Sequence, residues 1–183
     1  FGDGQRAGND AAAAILGQGN ADGKAGTFAS KGGWNYADEV LYPFGYGLSY
    51  TTFTQTLNSV TEADGTITVD VTVTNTGSAS GKEVVEVYYN PPYTNGGIEK
   101  ASANLIGFAK TSELAPGASE NVTVTFKAED MASYDTYGKG CYVLEKGDYV
   151  ISINADSHTF WIKVYNVASD IVYNASNKRE SDV

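Results

Sequence analysis

The stretch Thr66-Ile67-Thr68-Val69-Asp70-Val71-Thr72-Val73-Thr74-Asn75 decides the fold class. Ile67, Val69, Val71 and Val73 alternate with polar residues. A period of two puts all four apolar side chains on one face of an extended strand and the hydroxyls on the other. Side chains branched at Cβ suit that pleated surface. Immediately before it, Ala63-Asp64-Gly65 carries the Asp-Gly pair of a tight hairpin turn, which sends the chain back along a strand around Thr54–Val60. Asn75-Thr76-Gly77 ends the strand and begins the next connection.

The same grammar repeats downstream. Glu83–Tyr89 is apolar on both faces apart from Glu86 and the leading Glu83, as a central strand would be. Pro91-Pro92 stops it, because proline has no N–H to give to a ladder. Tyr93–Ser102 is a polar, glycine-rich loop. Leu105–Lys110 and Asn121–Phe126 read as two more strands, with Val122, Val124 and Phe126 facing inward and Leu114-Ala115-Pro116-Gly117 turning between them. Glu129-Asp130-Met131 reads as a helical turn. Tyr149–Asn154 and Phe160–Val164 are the last strands, joined through a turn at Asp156-Ser157. About seven short strands without a long helix predict an all-β fold, a β-sandwich of the general immunoglobulin-like kind. Within it, Leu144-x-x-Gly147-x-Tyr149 fits a tyrosine corner and equally an ordinary hairpin with a core tyrosine.

Composition narrows the function. The chain has 183 residues, 42% of them hydrophobic and 19% charged, which predicts a globular body. A net charge of −10 argues against nucleic acid or an anionic membrane surface as partner. Cys141 is the sole cysteine, so an internal disulfide and the multi-cysteine zinc spacings are excluded. His158 is the sole histidine, and any Ser-His-Asp or Cys-His arrangement would have to use it; a loop histidine is the simpler reading. The Asp/Gly turns at Asp22-Gly23, Asp64-Gly65 and Gly147-Asp148 do not follow a calcium-loop pattern. No apolar run reaches transmembrane length and no signal peptide opens the chain, which leaves cytoplasmic and secreted locations both open. Asn121-Val122-Thr123 and Asn174-Ala175-Ser176 are glycan acceptors only on a eukaryotic secretory route.

Residues 1–40 differ in character. Asn9 or Asp10 can cap a short helix through Ala11–Leu16 that Gly17 ends, and the glycines around it lack phosphate-loop spacing. Next comes Leu41-Tyr42-Pro43-Phe44-Gly45-Tyr46-Gly47-Leu48-Ser49-Tyr50-Thr51-Thr52-Phe53, bulky apolar residues around two glycines, which reads as a sharply turned, well-packed joint.

This string resembles the hinge that joins the α/β sandwich domain to a fibronectin III-like domain in family 3 glycoside hydrolases, the β-glucosidase and β-xylosidase family. The resemblance extends to Leu105-Ile106-Gly107-Phe108-Ala109-Lys110, to Leu114-Ala115-Pro116-Gly117 with Val122–Phe126, to Asp130-Met131 with Tyr134-Asp135, and to Gly147-Asp148-Tyr149. Before the hinge it is looser. Gly4–Gly8 with the Ala-rich segment is similar to the last helix of the family's sandwich domain. Gly19-Asn20-Ala21-Asp22-Gly23-Lys24 leading to Thr27-Phe28 departs from the usual pattern at Ala21 and at Ala25-Gly26. The implied division is 1–41 as the end of an α/β sandwich domain, 42–53 as the hinge, 54–166 as the fibronectin type III-like domain and 167–183 as a tail or linker. That tail fits the family's reversed order, in which a catalytic barrel follows.

The resemblance implies a parent that hydrolyses terminal β-linked sugars with retention, partnered here by its remaining barrel and α/β sandwich domains. Such hydrolysis needs two carboxylates about 5–10 Å apart. The family takes them from the barrel and from upstream of the hinge, and neither motif is in this chain. Asp38-Glu39 are sequence neighbours whose side chains diverge, so they make no catalytic couple. The expected catalytic, cofactor and metal residues are therefore none. The expected role is bracing, through Phe44, Tyr46, Leu48 and Phe53, with the Tyr93–Ser102 loop at the rim of the parent's active site. The alternative is a stand-alone carbohydrate-binding or adhesion module. Its candidate sugar contacts are Trp34, Tyr36 and Tyr93, with Tyr88 and Pro92 beside them, although tyrosines in a sandwich usually serve the core or sheet surface.

Overall fold

The computed structural model describes residues 41–42, 45–154 and 161–182. The expected N-terminal helix, Trp34, Tyr36, Asp38-Glu39, Phe44, the turn at Asp156-Ser157 and His158 lie outside the described residues. Ten strands follow in chain order: β1 (Phe53–Ala63), β2 (Thr66–Asn75), β3 (Val84–Asn90), β4 (Asn104–Lys110), β5 (Ser119–Lys127), β6 (Ser133–Tyr134), β7 (Tyr142–Leu144), β8 (Gly147–Asn154), β9 (Trp161–Val167) and β10 (Ile171–Tyr173).

Seven of them make the sandwich. One sheet has the order β1-β2-β5 and the other β4-β3-β8-β9, all antiparallel. The β1–β2 hairpin turns at Asp64 (φ 50°) and Gly65 (φ 73°), left-handed at both central positions as a two-residue turn between twisted strands requires. Ile67, Val69, Val71 and Val73 are fully buried, and Val122, Val124 and Phe126 of β5 join them. From the opposite sheet come Val85, Val87, Tyr89, Tyr149, Ile151 and Ile153. A Cβ on Gly107 of β4 would lie 2.8 Å from Val124 Cγ1, so the two sheets meet closely there.

Tyr149 is buried at the corner where the chain enters β8, as both sequence readings of it require. Burial pushes its pKa well above the ordinary phenol value. Gly147, at φ +135°, lets this corner back onto Pro92, where a Cβ would stand 2.9 Å from the proline ring.

The short strands β10-β7-β6 form a third sheet, additional to the seven strands expected. β10 falls within the stretch expected as a tail or linker and pairs with β7. Arg179 stacks 3.5 Å above the Tyr142 ring and pairs with Asp182 at 2.6 Å, and the Glu180 N–H donates to Glu129 at 2.7 Å. The expected helical turn is a single 3₁₀ turn at Ala128–Met131.

Candidate functional site: the hinge and the sheet face it crosses

The hinge enters the sandwich at Thr51, and a buried amide holds it there. Asn75 ends β2 fully buried. Its Oδ1 accepts from Thr51 Oγ1 at 2.9 Å and from the Gly77 N–H at 3.0 Å. Its Nδ2 donates to the carbonyls of Ala79 and Leu114, both at 2.8 Å. Three segments, the hinge, the 76–79 turn and the loop before β5, are thus tied to one side chain. The N–H groups of Thr76 and Gly77 add bonds to the Thr52 carbonyl at 2.8 and 3.1 Å. Gly77 must be glycine, because a Cβ there would lie 2.1 Å from Thr51 Oγ1 and 2.7 Å from the Thr52 nitrogen.

Upstream, the hinge lies over the outward side of the four-stranded sheet. Tyr88 and Glu86 sit on that side of β3, opposite the core residues Val85, Val87 and Tyr89, and Tyr88 donates its hydroxyl proton to Glu86 at 2.6 Å. Gly45 covers this pair: at φ +85°, a Cβ would lie 2.5 Å from Glu86 Oε2 and 2.7 Å from Tyr88 Oη. Of the two glycines in the string, Gly45 alone takes a left-handed conformation; Gly47 sits in open space.

Around that anchor the apolar side chains face outward. Leu48 is 88% exposed, and Leu41, Tyr42, Tyr46 and Tyr50 are exposed as well, Tyr42 and Tyr46 tilted together with centroids 5.2 Å apart. Phe53 differs, turning in to pack against the core. The sheet adds Phe108 of β4, 69% exposed and paired in register with Glu86, together with Leu105 opposite Tyr88. Val164 is exposed on the edge strand β9.

Tyr88 makes no exposed sugar platform. It is buried, its ring lies beneath the hinge, and its hydroxyl is spent on Glu86. Tyr93 is 39% exposed, its hydroxyl 3.3 Å from Glu99 Oε1. The loop that carries it is held by a residue the sequence did not single out. Lys100, its side chain only 3% exposed, pairs with Glu145 and donates to the Pro92 carbonyl at 2.6 Å. Asn90 Nδ2 donates to the Ser102 carbonyl and fastens the loop's far end. Among the described residues, no group of three or more His, Cys, Asp or Glu is arranged to hold a metal ion.

Comparison with known proteins matches this geometry. Residues 83–157 match the fibronectin type III-like domain family. β-Glucosidase A of Butyrivibrio fibrisolvens is 44% identical over 130 residues, covering 61% of this chain and 15% of the relative. The β-glucosidase of Kluyveromyces marxianus is 34% identical over 137 residues, 74% of this chain and 16% of the relative. Among solved structures, a β-glucosidase from Paenibacillus barengoltzii superposes with a TM-score of 0.68 at 40% identity, over 74% of this chain and 16% of that one. β-Glucosidase 3B of Thermotoga neapolitana, in complex with α-D-glucose, gives 0.66 at 36% identity, over 75% and 19%. The chain spans 13–16% of the length of the curated relatives it matches. The sandwich topology and these matches agree: residues 83–157 belong to the fibronectin type III-like domain family, and the chain is similar to the part of family 3 β-glucosidases that carries this domain.

Proposed function

We propose that this chain acts as a non-catalytic brace in a β-glucosidase-like enzyme that hydrolyses terminal β-linked sugars with retention. The observation that carries it is the hinge. Its base is fixed by the buried Asn75 amide and its middle by Gly45 over Glu86 and Tyr88, while Leu41, Tyr42, Tyr46 and Leu48 point outward. Rigid backbone presenting a contiguous apolar surface is how a docking patch is built. Phe108 and Leu105 enlarge the patch from the sheet side. Tyr46 and Leu48, with Phe44 beside them in sequence, meet the α/β sandwich domain, and Phe53 anchors the sandwich side of the joint.

Mixing tests the reading. Barrel and α/β sandwich domains from a matching β-glucosidase, produced without their own fibronectin-like part, are assayed on an aryl β-glucoside with and without this chain. Activity that appears only on mixing, and falls at least roughly tenfold with Leu48→Asp, is the expected result. Hydrolysis by this chain alone overturns it.

A further inference from the structure

A second surface lies away from the hinge residues. The turn at residues 94–97 and the turn at 135–140 wall a hollow of about 440 Å³, with Tyr134, Tyr137, Glu99 and Glu145 among its lining. Its construction is rigid on one side. Asp135 Oδ1 accepts from the Gly138 N–H at 2.9 Å and Oδ2 from the Lys139 N–H at 2.8 Å. The Tyr134 hydroxyl donates to the Gly140 carbonyl at 2.9 Å, and its ring stands edge-on to Tyr142. Gly138 is required, since a Cβ would fall 2.4 Å from Asp135 Oδ2.

This rigid turn lifts Tyr137 out, 96% exposed, where nothing in its own fold covers the ring. The opposite wall is fixed by Lys100, which ties the loop to Glu145 and Pro92. A large aromatic face held in water beside carboxylates suits one ligand chemistry. A neutral pyranose offers an apolar C–H face for the ring and paired hydroxyls for carboxylate oxygens. The carboxylates of Glu99, Asp135 and Glu145 outnumber the ammonium groups of Lys139 in the lining and of Lys100 behind Glu145, which disfavours anionic sugars.

We propose that this hollow is a binding subsite for a neutral β-linked gluco-oligosaccharide, with Tyr137 as the stacking platform and Glu99 as hydroxyl acceptor, Tyr93 orienting that carboxylate. The choice of gluco-oligosaccharide rests on the glycosidase reading above; the hollow and its aromatic face do not.

Titration of the ¹⁵N-labelled chain with cellotetraose tests it. Saturable shifts of the Gly96, Gly97 and Gly138 amide signals are expected. Tyr137→Ala should weaken binding roughly tenfold and Tyr137→Phe should retain it. Glu99→Gln should cost about threefold. Because Tyr137 is surface-exposed, circular dichroism of the variants should match the parent chain. Absent shifts, or shifts indifferent to Tyr137→Ala, overturn the subsite. Cellotetraose binding without activity on mixing would sink the brace alone, and activity on mixing without binding would sink this subsite alone.

Discussion

The two outward faces of the sandwich are built from the same alternating strands and yet differ in kind. On the β1-β2-β5 sheet the outward side is a lattice of hydroxyls and amides. Thr72 accepts from Asn58 at 2.8 Å and donates to Asn121 at 2.8 Å, Thr74 meets Ser119 at 2.7 Å, and Thr123 donates to Asp70 at 2.6 Å. Side chains bonded to one another in this way gain nothing by being covered with an apolar surface. On the β4-β3-β8-β9 sheet the corresponding positions hold Glu86, Tyr88, Ser152, Leu105 and Phe108, with Gly45 of the hinge over Glu86 and Tyr88. Around the Glu86–Tyr88 pair and Ser152 that face carries exposed apolar side chains, and it is in part already covered. On the proposed reading the first is a surface finished for water and the second one that meets another domain.

The strongest way to break the comparison is at the residue that joins the hinge to the sandwich. Asn75→Ala removes four hydrogen bonds, leaving the buried Thr51 hydroxyl and the half-buried Ala79 carbonyl without this partner and the Leu114 carbonyl with the Gly81 N–H. The expected loss is about 3 kcal/mol or more of unfolding free energy, read by urea denaturation. A loss under about 1 kcal/mol would mean that the hinge is not clamped and its apolar residues are not held out.

Next in size is the core between the faces. Burial in the first place, helped by Asp130, pushes the Tyr89 phenol up to about 12. The folded state therefore holds this proton more tightly than the unfolded chain does. Its share of stability is complete below about pH 10 and is lost as pH rises towards 12, about 2–3 kcal/mol in all. Denaturation followed across that window should show the fall, and Tyr89→Phe should remove Tyr89's part of it. A Tyr89→Phe profile identical to the parent's would place the residue outside the packed interior.

Gly45→Ala should cost about 1–2 kcal/mol, from the left-handed backbone and the contact with Glu86 and Tyr88. Gly47→Ala, in open space, should leave thermal unfolding unchanged. Equal effects of the two would remove the case for Gly45 as the point where the hinge grips the sheet.

Much of this was legible in the chain. The seven sandwich strands follow from alternation and turn residues, because burial of one face and the period of a strand are a single fact. Asn75 could have been found too: it continues the inward parity of Ile67, Val69, Val71 and Val73, so an amide there must be buried and therefore bonded. Reading it only as the start of a turn missed the clamp. Phe108 was hidden by a register shift between Val87 and Tyr88, which changes how β4 sits against β3. The third sheet escaped because β6, β7 and β10 are two or three residues long, too short for any period to show. Lys100 was illegible for another reason: its burial depends on Glu145, which lies 45 positions away in sequence.

The smallest expected effects on stability make the sharpest test of the two faces. Phe108→Thr puts a hydroxyl on the apolar face, and Thr123→Val puts an apolar side chain on the hydroxyl face. Both sites are exposed, so each variant should stay within about 1 kcal/mol of the parent chain. Thr123→Val loses its bond to Asp70, which Ser59 still approaches at 3.3 Å, so its cost should fall near the middle of that range. Association with the catalytic domains should separate the pair. Phe108→Thr should weaken it several-fold, because an exposed aromatic side chain is the kind of group that anchors an interface. Thr123→Val should leave it unchanged. If both variants weaken association alike, the partner covers both sides of the sandwich and the hydroxyl lattice is not a water-facing surface. If neither does, the docking patch ends at the hinge and the outward face of β4 belongs to solvent as well.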